Sequence, residues 1–350
     1  MSMTIEEIAA KLQHYEGRPI RLMEVCGSHT AAIARFGIRS MLSPDITLLS
    51  GPGCPVCVTT TAYIDKLIAL AMTSKTAVVS FGDLLRVPGS RYSLGEMKGQ
   101  GADVRMVYAP MEILRLAEAE PDVLFVFAAV GFETTAPVYT LLLEELIARK
   151  ISNVQLLTAL KTMPEVIAYL LESGAGLDGF LAPGHVCAIT GSDYFVPLAD
   201  KYQRPFVVSG FGAEELLIAI YRLVQMASLG KSGVENCYPA VVTQAGNTIA
   251  AEKLHRYFRK VPAAWRGFGI VADSGLVLRK EYQMFDAGSE FLYEDQKKNA
   301  ACSCGEILRG QKQPMDCPLF GSVCNPQNPQ GACMVSYEGS CLQAYLEGRT

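Results

Sequence analysis

The sequence has no segment typical of a membrane-spanning or secreted protein. Its longest apolar run, near residues 123–132, is roughly half as long as the ~20 residues that a membrane helix needs. The first residues hold no basic start followed by an apolar run, so we expect no secretory signal. These features predict a cytoplasmic protein without a membrane partner.

The sequence also shows no basic stripe. Charged residues make up 19% of its 350 residues, and the net charge of −4 arises from interspersed residues of both signs. Since nucleic-acid binding relies on clustered lysine and arginine, we expect no nucleic acid as a partner. Half of the residues are hydrophobic, and the length exceeds that of one compact core, so we expect a globular chain of two or three domains.

Short apolar runs alternate with amphipathic segments between about residues 18 and 211. The predicted strands are residues 20–25, 46–49, 77–81, 104–108, 123–130, 154–157, 179–181 and 205–208. The predicted helices include residues 62–72, 110–119, 138–149 and 214–226. Strands that alternate with helices indicate an α/β fold whose parallel sheets are covered on both faces.

These runs fit one large sheet or two domains of about four strands each, and we favour two domains that face a cleft. The boundary is placed near residue 120, where Ala-Glu-Pro-Asp interrupts the pattern, giving domains at 1–120 and 121–232. Residues 233–350 form the C-terminal segment, with possible strands at 240–242 and 269–271 and a helix at 248–258.

Cysteine is abundant, with eleven copies. In a cytosolic chain of this size, that number favours metal or redox chemistry over a structural disulfide framework. Cys26, Cys54 and Cys57 lie early, whereas six cysteines crowd residues 302–341. The distribution is compatible with two separate chemistries.

The first cysteine lies in the segment Glu-Val-Cys-Gly-Ser-His-Thr at residues 24–30, between a predicted strand and a helix. Ligands of open α/β sheets bind at the carboxyl ends of strands, and the N-terminus of the following helix favours a thiolate. We therefore expect Cys26 to be accessible and to have a lowered thiol pKa. The alternative is a buried cysteine beside a helix-capping serine or threonine.

The second segment, Gly-Pro-Gly-Cys-Pro-Val-Cys at residues 51–57, also follows a strand and precedes a helix. A Cys-x-x-Cys pair at a helix start in an α/β protein is typical of a redox or metal site. For Cys54 and Cys57, half of a zinc site and two unrelated buried cysteines are the alternatives.

Three further polar loops follow predicted strands: Gly-Phe-Glu-Thr-Thr-Ala-Pro at 131–137, Pro-Gly-His-Val-Cys at 183–187 and Ser-Gly-Phe-Gly at 209–212. Each alone is compatible with a helix cap, since Thr134 or Thr135 before Pro137 suits an N-cap followed by proline. Their position at the same sheet edge as the cysteine loops favours a cleft, with Glu133 and His185 as acid–base or ligand groups.

The tail holds Cys302, Cys304, Cys317, Cys324, Cys333 and Cys341. The intervals are one, twelve, six, eight and seven residues, so the paired knuckles of a zinc site are missing from the pattern. Irregular spacing suits an iron–sulfur cluster held by four thiolates, with cysteines left over. Because the tail has little apolar surface to bury, we expect the cluster to hold this segment together.

Together and in this order, these motifs resemble the HypD family over nearly the whole chain. The resemblance extends into the tail, through Cys-Gly-Glu-Ile-Leu-Arg-Gly at 304–310, Cys-Pro-Leu-Phe-Gly at 317–321, Gly-Ala-Cys-Met-Val at 331–335 and Glu-Gly at 338–339. It implies two α/β domains, an iron–sulfur domain and a role in the maturation of NiFe hydrogenases. The family acts with a HypC-type chaperone as a scaffold for the Fe(CN)2CO unit, to which a HypE-type protein donates cyanide and which is transferred to the hydrogenase large subunit.

The resemblance also implies roles for the matching residues. Cys26 would hold the iron of the Fe(CN)2CO unit, and Cys54 and Cys57 would form a redox-active dithiol. The [4Fe–4S] ligands would be Cys302, Cys317, Cys324 and Cys341, in the arrangement C-x14-C-x6-C-x16-C, with Cys304 and Cys333 as an auxiliary thiol pair. The cleft would be lined by Gly27, Ser28, His29, Thr30 and Thr134, beside Glu133 and His185.

One loop departs from the family pattern, because Gly-Phe-Gly-Ala stands at 210–213 where Gly-Phe-Glu-Pro is usual. A carboxylate there would have to come from Glu214 or Glu215.

A cluster takes electrons singly and a dithiol handles two, so the tail would supply electrons to Cys54 and Cys57, close to iron at Cys26. Two other functions compete with this scaffold role: an iron–sulfur protein-disulfide reductase and a zinc-stabilised interaction module.

Overall fold

The computed structural model describes residues 3–296 and 298–348. Within them lie eleven strands: Ile20–Glu24 (β1), Ile46–Ser50 (β2), Thr76–Ser80 (β3), Val104–Met106 (β4), Leu124–Gly131 (β5), Val154–Lys161 (β6), Gly179–Pro183 (β7), Pro205–Ser209 (β8), Gly233–Asn236 (β9), Phe258–Trp265 (β10) and Gly269–Leu278 (β11). They form two sheets, and every pair is parallel except those that include β11. The predicted α/β class with mostly parallel sheets is confirmed.

The first sheet has the strand order β2-β1-β7-β8-β9. In β1, Leu22 lies opposite Leu48 of β2 on one side and Gly179 of β7 on the other. Because all strands of this sheet run in the same direction, the loops that follow them lie along one edge.

The second sheet has the order β10-β11-β6-β5-β3-β4. In its interior, Val126 of β5 lies opposite Val78 of β3 and Gln155 of β6. Strand β5 is buried along almost its whole length, as expected for an apolar strand covered on both faces. The β10–β11 hairpin adds to the β6 edge in antiparallel orientation.

The helices are Ile5–Gln13 (α1), Gly27–Arg35 (α2), Thr61–Ala71 (α3), Leu94–Lys98 (α4), Glu112–Ala119 (α5), Ala136–Arg149 (α6), Met163–Glu172 (α7), Gly184–Thr190 (α8), Val196–Tyr202 (α9), Ala213–Ser228 (α10), Thr248–Tyr257 (α11), Cys304–Leu308 (α12) and Ser340–Glu347 (α13). The predicted start of α6 is present, with Thr135 at the N-cap and a proline in the first turn. The helices predicted at 62–72, 110–119, 138–149 and 214–226 correspond to α3, α5, α6 and α10.

All eight predicted strands between residues 18 and 211 are present as β1–β8. In the C-terminal segment, residues 269–271 begin β11 and residues 248–258 match α11, but the strand predicted at 240–242 is wrong, because these residues form a turn and its exit. Strand β10 was missed because Pro262 interrupts its pattern at a point where the pairing register shifts.

The two sheets do not coincide with the predicted ranges 1–120 and 121–232. Strands β1 and β2 share a sheet with β7, β8 and β9, whereas β3 and β4 share the other with β5 and β6. The boundary placed near residue 120 therefore falls between two strands of the same sheet, because the chain changes sheets after β2 and again before β7.

One group of buried residues connects both sheets with the tail. Met23 of the first sheet, Val78 and Trp265 of the second, and Cys302 and Cys333 of the tail belong to the same core. The tail is therefore packed against the sheets rather than separate from them. In the part of the chain that the structure describes, no helix is both long and apolar enough to cross a membrane.

Candidate functional site

The segment after β1 lies where the connections of the first sheet reverse direction. The chain passes from β1 to β2 on one side, whereas from β7 on the other side it continues to β8 and β9. Ligands of open α/β sheets bind at such a point, outside the carboxyl ends of the strands. Cys26 follows β1 and His185 follows β7, so both residues lie at this edge.

Cys26 is the N-cap residue of α2 and is held against the loop of Cys54. The amide of Gly27 donates a hydrogen bond to the carbonyl oxygen of Gly53, at 2.8 Å. A side chain at Gly53 would place its Cβ 2.1 Å from the backbone nitrogen of Cys26, so glycine permits this close approach. The structure thus brings the two early cysteine loops into direct contact.

Cys26 is only 7% exposed, and burial raises the pKa of its thiol to about 12. The backbone amides of Ser28 and His29 favour the thiolate, but the carboxyl groups of Glu24 and Glu338 oppose it. The expectation of an accessible thiol with a lowered pKa is therefore wrong, because burial outweighs the helix N-terminus.

Glu24, to which no role was predicted, is fully buried at the end of β1. Its Oε2 accepts a hydrogen bond from the amide of Cys26, at 3.0 Å, and its Oε1 accepts one from the hydroxyl of Thr30. Burial raises the pKa of Glu24 to about 7. These contacts fix the backbone of Cys26 and the first turn of α2. The available signal was an acidic residue at the end of a strand, directly before the first cysteine loop.

Cys54 and Cys57 are joined by a disulfide bond, with their Cα atoms 5.2 Å apart. Cys54 is 3% exposed and Cys57 is 0% exposed, so the bond lies beneath the surface. In this state the two sulfurs are bonded to each other and are not available as zinc ligands. Their reversible reduction stays a prediction.

Aromatic rings join the loops after β1, β7 and β8. The ring of Phe211 stacks on that of His185, with centroids 3.8 Å apart, and lies 4.7 Å from that of His29. The Nε2 atom of His29 lies 3.0 Å from the carbonyl oxygen of Gly210 and donates to it, while Nδ1 has no partner among the described residues. Burial lowers the pKa of His29 to about 4, so its Nδ1 carries a lone pair at neutral pH.

The loop at 210–213, which lacks the family's glutamate, receives a carboxylate from Glu215. Its Oε2 accepts hydrogen bonds from the amides of Phe211 and Gly212, at 2.8 and 2.9 Å. Of the two candidates, Glu215 rather than Glu214 therefore reaches the loop. Glu215 thereby caps the N-terminus of α10, and its Oε2 atom is already engaged by these two amides.

An open cavity of about 350 Å³ adjoins the Cys26 loop. The hydroxyl of Ser28 donates a hydrogen bond to Glu338 of the tail, at 2.8 Å, and the two residues line one wall together with Tyr337. A Cβ at Gly27 would lie 2.4 Å from the Cβ of Glu338, so the tail packs directly on the loop. Glu338 was quoted only as part of a family motif, and its contact with the first cysteine loop was not predicted.

Glu133 and His185, the two acid–base candidates, line different cavities. Glu133 adjoins a cavity of about 440 Å³ that α11 and β10 help to form. Its Oε1 accepts hydrogen bonds from the amide of Met163 and the hydroxyl of Tyr194, at 2.7 and 2.9 Å, and Oε2 has no partner among the described residues. Burial raises the pKa of Glu133 to about 7.

Cys187 lies close to both of these parts of the molecule. Cys187 is buried within electrostatic range of both Cys26 and Glu133, and burial raises its pKa. Thr134 is half-buried beside Glu133. The loops after β1, β5 and β7 are therefore close to one another, although their polar groups do not open into one cavity.

The tail cysteines gather around one small cavity. Its walls include Cys302, Cys304, Cys317, Cys324 and Cys341. Cys333 lies next to this group, and hydrogen bonds with Cys304 and Cys341 lower its pKa. Among the described residues, however, no three histidine, cysteine or acidic side chains are arranged to hold a metal ion.

The donor set nevertheless fits an iron–sulfur cluster in its chemistry. The four predicted ligands are buried and line the same cavity, whose other walls are largely apolar. Cysteine thiolates in such surroundings are the usual ligands of these clusters. Cys304 lines the cavity as well, so the geometry does not distinguish it from the four.

Known proteins resemble this chain over nearly its full length. The family model HypD, described as the hydrogenase formation hypA family, matches residues 1–347. A putative hydrogenase expression/formation protein of Methanocaldococcus jannaschii is 43% identical over 331 residues, which cover 93% of this chain and 91% of that protein. The hydrogenase maturation factors HypD of Rhizobium leguminosarum and Escherichia coli are 42% and 41% identical, over 95% and 97% of this chain and 89% and 92% of their own lengths. The chain therefore belongs to the HypD family of hydrogenase maturation proteins.

Proposed function

We propose that this protein is a hydrogenase maturation factor that serves as a scaffold for the Fe(CN)2CO unit of NiFe hydrogenases. The unit is its cargo, assembled with a HypC-type chaperone and a HypE-type cyanide donor and then transferred to the hydrogenase large subunit. Membership of the HypD family supports the proposal. The observation that carries it is the direct contact between the loop of Cys26 and the loop of the Cys54–Cys57 disulfide.

Cys26 holds the iron in this proposal. Its raised pKa keeps the thiol protonated until a metal ion displaces the proton. Iron with cyanide and carbonyl ligands is electron-rich and prefers a soft thiolate. The carboxyl group of Glu24 binds the amide of Cys26 and the hydroxyl of Thr30, so the cysteine keeps its position when the proton leaves.

Cys54 and Cys57 act as a two-electron couple beside the iron. Reduction of their disulfide consumes two electrons and two protons and yields two thiols. The backbone of Gly53 ties this loop to Cys26, which supports a redox role close to the cargo.

The tail cysteines Cys302, Cys317, Cys324 and Cys341 hold a [4Fe–4S] cluster, which supplies single electrons when bound. Cys304 and Cys333, which are buried and hydrogen-bonded to each other, form the auxiliary pair. Packing of these cysteines against both sheets supports a fixed distance between the tail and the Cys54–Cys57 loop.

The HypC-type partner binds at the cavity next to α2. This cavity is open to solvent, adjoins the Cys26 loop, and presents the exposed ring of Tyr337 beside Phe211. A thiolate from the partner would supply a second soft ligand for the iron on this side.

A protein-disulfide reductase is the second candidate, favoured by the disulfide that packs in the same core as the tail cysteines. The burial of both Cys54 and Cys57 opposes it, because thiol–disulfide exchange requires that a substrate sulfur reach the attacking sulfur. Turnover of protein disulfides without any HypC-type partner would support this candidate.

The scaffold role is tested with Cys26→Ala, purified without oxygen together with the HypC-type partner. We expect normal folding and a normal content of tail iron and sulfide, but loss of the extra iron and of the cyanide and carbonyl infrared bands. Cys237→Ala, which removes a thiol near the end of β9, is the matched control and should keep the bands. Bands of normal intensity in Cys26→Ala would move the iron to Cys54, Cys57 or His185.

A further inference from the structure

Arg266 is a buried cation at the end of β10. It is 7% exposed, and its Nη2 atom has no hydrogen-bond partner among the described residues. Its backbone amide donates to the carbonyl oxygen of Val58 at 2.9 Å, and its Nε donates to that of Thr59 at 2.7 Å. No carboxylate of the described chain forms an ion pair with it. The guanidinium is thus anchored by backbone oxygens alone.

Such a group requires a compensating negative charge. An arginine side chain does not give up its proton in proteins, and an isolated charge in a buried environment is strongly unfavourable. Two carbonyl oxygens offer only partial charges. The nearby carboxylate of Asp295 accepts a hydrogen bond from the amide of Gly267, at 3.1 Å, but it forms no ion pair with Arg266. The unpartnered Nη2 atom therefore indicates that a further anion lies nearby.

The surroundings of Arg266 identify where that anion lies. On one side, Val58 and Thr59 directly follow the Cys54–Cys57 loop. On the other side, a Cβ at Gly267 would lie 2.3 Å from the Cα of Gly305, the residue after Cys304. Arg266 is also within electrostatic range of Cys333. The cation therefore lies between the disulfide loop and the cysteine-rich tail.

We propose that Arg266 is a positioning residue that stabilises negative charge at the tail cluster and thereby raises the cluster's reduction potential. This inference rests on the proposed function, since it requires the cluster. A cluster held by four thiolates is negatively charged, and reduction by an external one-electron donor adds one electron while no ligand leaves. A fixed positive charge nearby favours the reduced form more than the oxidised form.

The competing explanation is that Arg266 only ties the loop after β10 to the Cys54–Cys57 loop. Substitutions of Arg266 distinguish the electrostatic role from the purely structural one. Arg266→Lys keeps the charge but loses the fork of donors, whereas Arg266→Gln keeps a hydrogen-bond donor and loses the charge. Arg266→Met is a second neutral variant, because a hydrophobic residue of similar volume often replaces a buried charge without loss of stability.

Arg309→Gln is the matched control. Arg309 donates to the carbonyl oxygen of Gly267, so it touches the same loop, but its side chain is only partly buried. Water screens its charge more effectively than that of Arg266. Removing this charge should therefore have a smaller effect on the potential, while any loosening of the loop should appear in both variants.

The experiment is a redox titration of the full chain, purified without oxygen, with the reduced cluster followed by electron paramagnetic resonance. At the wild-type midpoint, the ratio of reduced to oxidised cluster should fall about tenfold in Arg266→Gln and Arg266→Met, equivalent to about 59 mV. Arg266→Lys and Arg309→Gln should stay within about threefold of the wild type.

Iron and sulfide content separates failure of this inference from failure of the proposed function. Wild-type protein without iron and sulfide would refute the cluster itself. Clusters present in all variants with equal potentials would refute the role of Arg266, as would a potential in Arg266→Lys as low as in Arg266→Gln. If both neutral variants lose the cluster while Arg266→Lys retains it, the result supports stabilisation of the cluster's negative charge by Arg266. Loss of the cluster in Arg266→Lys as well would overturn the proposal.

Discussion

At Glu133, a carboxyl group lies where water hardly reaches it. The residue is 3% exposed, and burial raises its pKa to about 7 despite hydrogen bonds from Met163 and Tyr194. In the unfolded chain the same group ionises near its ordinary pKa of about 4.3. The folded state therefore binds a proton more tightly than the unfolded state, and stability from this site is present at low pH and lost as pH rises through about 7.

Glu133→Gln should remove this pH dependence, because glutamine keeps the shape and stays neutral. We expect similar free energies of unfolding for wild type and variant below about pH 4, and an advantage of up to about 3 kcal/mol for the variant at pH 8. Urea unfolding at both pH values measures the difference. Glu24, also buried, is present in both proteins and cancels from the comparison.

The control for this substitution is Glu118→Gln, which changes a carboxylate that is half exposed and paired with Arg149. It should shift the unfolding free energy by less than about 0.5 kcal/mol at either pH. An equal loss of stability in Glu133→Gln at both pH values would show that the glutamine fails to fit, and that Glu133 is charged in the folded protein.

Single residues could be predicted from the sequence only where the chemistry is local. Cys26, Cys54 and Cys57 each lie in a glycine-containing turn after an apolar strand, which is a pattern within one segment. Glu338 and Arg266 gain their significance from Ser28 and Thr59, which are distant in sequence. A pattern within one sequence segment cannot predict a contact between residues that are distant in sequence. The pKa of Cys26 was also misjudged, because the helix terminus is visible in the sequence and the depth of burial is not.

At the scale of elements, the contact between the loops after β1 and β2 depends on the absence of a side chain at Gly53. Gly53→Ala places a Cβ in a space already filled by the backbone of Cys26, at 2.1 Å. The loops must separate, and we expect a loss of about 3 kcal/mol in the free energy of unfolding. Urea unfolding of the purified variant measures the loss.

Gly99→Ala is the comparison for Gly53→Ala. Gly99 is exposed and follows α4 with helical backbone angles. An added Cβ would lie 3.3 Å from its nearest neighbour, the carbonyl oxygen of Glu96. Its replacement should change stability by less than about 0.5 kcal/mol. Equal effects of the two substitutions would mean that the two cysteine loops are not held in contact in solution.

The Cys54–Cys57 bond should be reversible. Under mild oxidation, thiol blocking followed by mass spectrometry should find two fewer free thiols than under reduction, with the difference located at Cys54 and Cys57. Cys237 should be alkylated equally in both states. Unchanged alkylation of the pair across accessible potentials would remove its redox role and favour the zinc alternative.

Alternating strands and helices were predictable because each buried parallel strand is a short apolar run between turn residues. The assignment of strands to sheets was not, since the apolar runs of β2 and β3 fit either sheet equally well. Strand β9 was missed because its four residues are only partly buried and include a single apolar side chain, Val234.

At the scale of the whole molecule, the tail belongs to the common core. Loss of its cluster should therefore also loosen the packing of the tail residues around it. Cys317→Ala should lose the iron and sulfide and make residues after about 298 sensitive to limited proteolysis. The strands of both sheets should keep their amide protection, because β1–β11 pair without the tail. Sulfide analysis, proteolysis and hydrogen exchange measure the three effects.

The matched variant is Cys237→Ala, a cysteine replacement outside the tail that should leave all three measurements unchanged. Full sulfide content in Cys317→Ala would refute its assignment as a ligand. Zinc in place of iron and sulfide in the wild-type protein, which would be colourless, would favour the interaction module instead.

The exchange of strands between the two sheets also constrains how the chain acquires its structure during synthesis. When β1 and β2 leave the ribosome, β7, the neighbour of β1 on its other side, has not yet been synthesised. Leu22 therefore cannot pair with Gly179 at that stage. The second sheet has to form most of its strands in the interval, inside a loop of the unfinished first sheet. Such distant pairings raise the contact order and slow folding. We expect β1 and β2 to expose apolar surface to chaperones until β7 emerges, and the wall beside Cys26 to be completed only once Tyr337 and Glu338 have emerged as well.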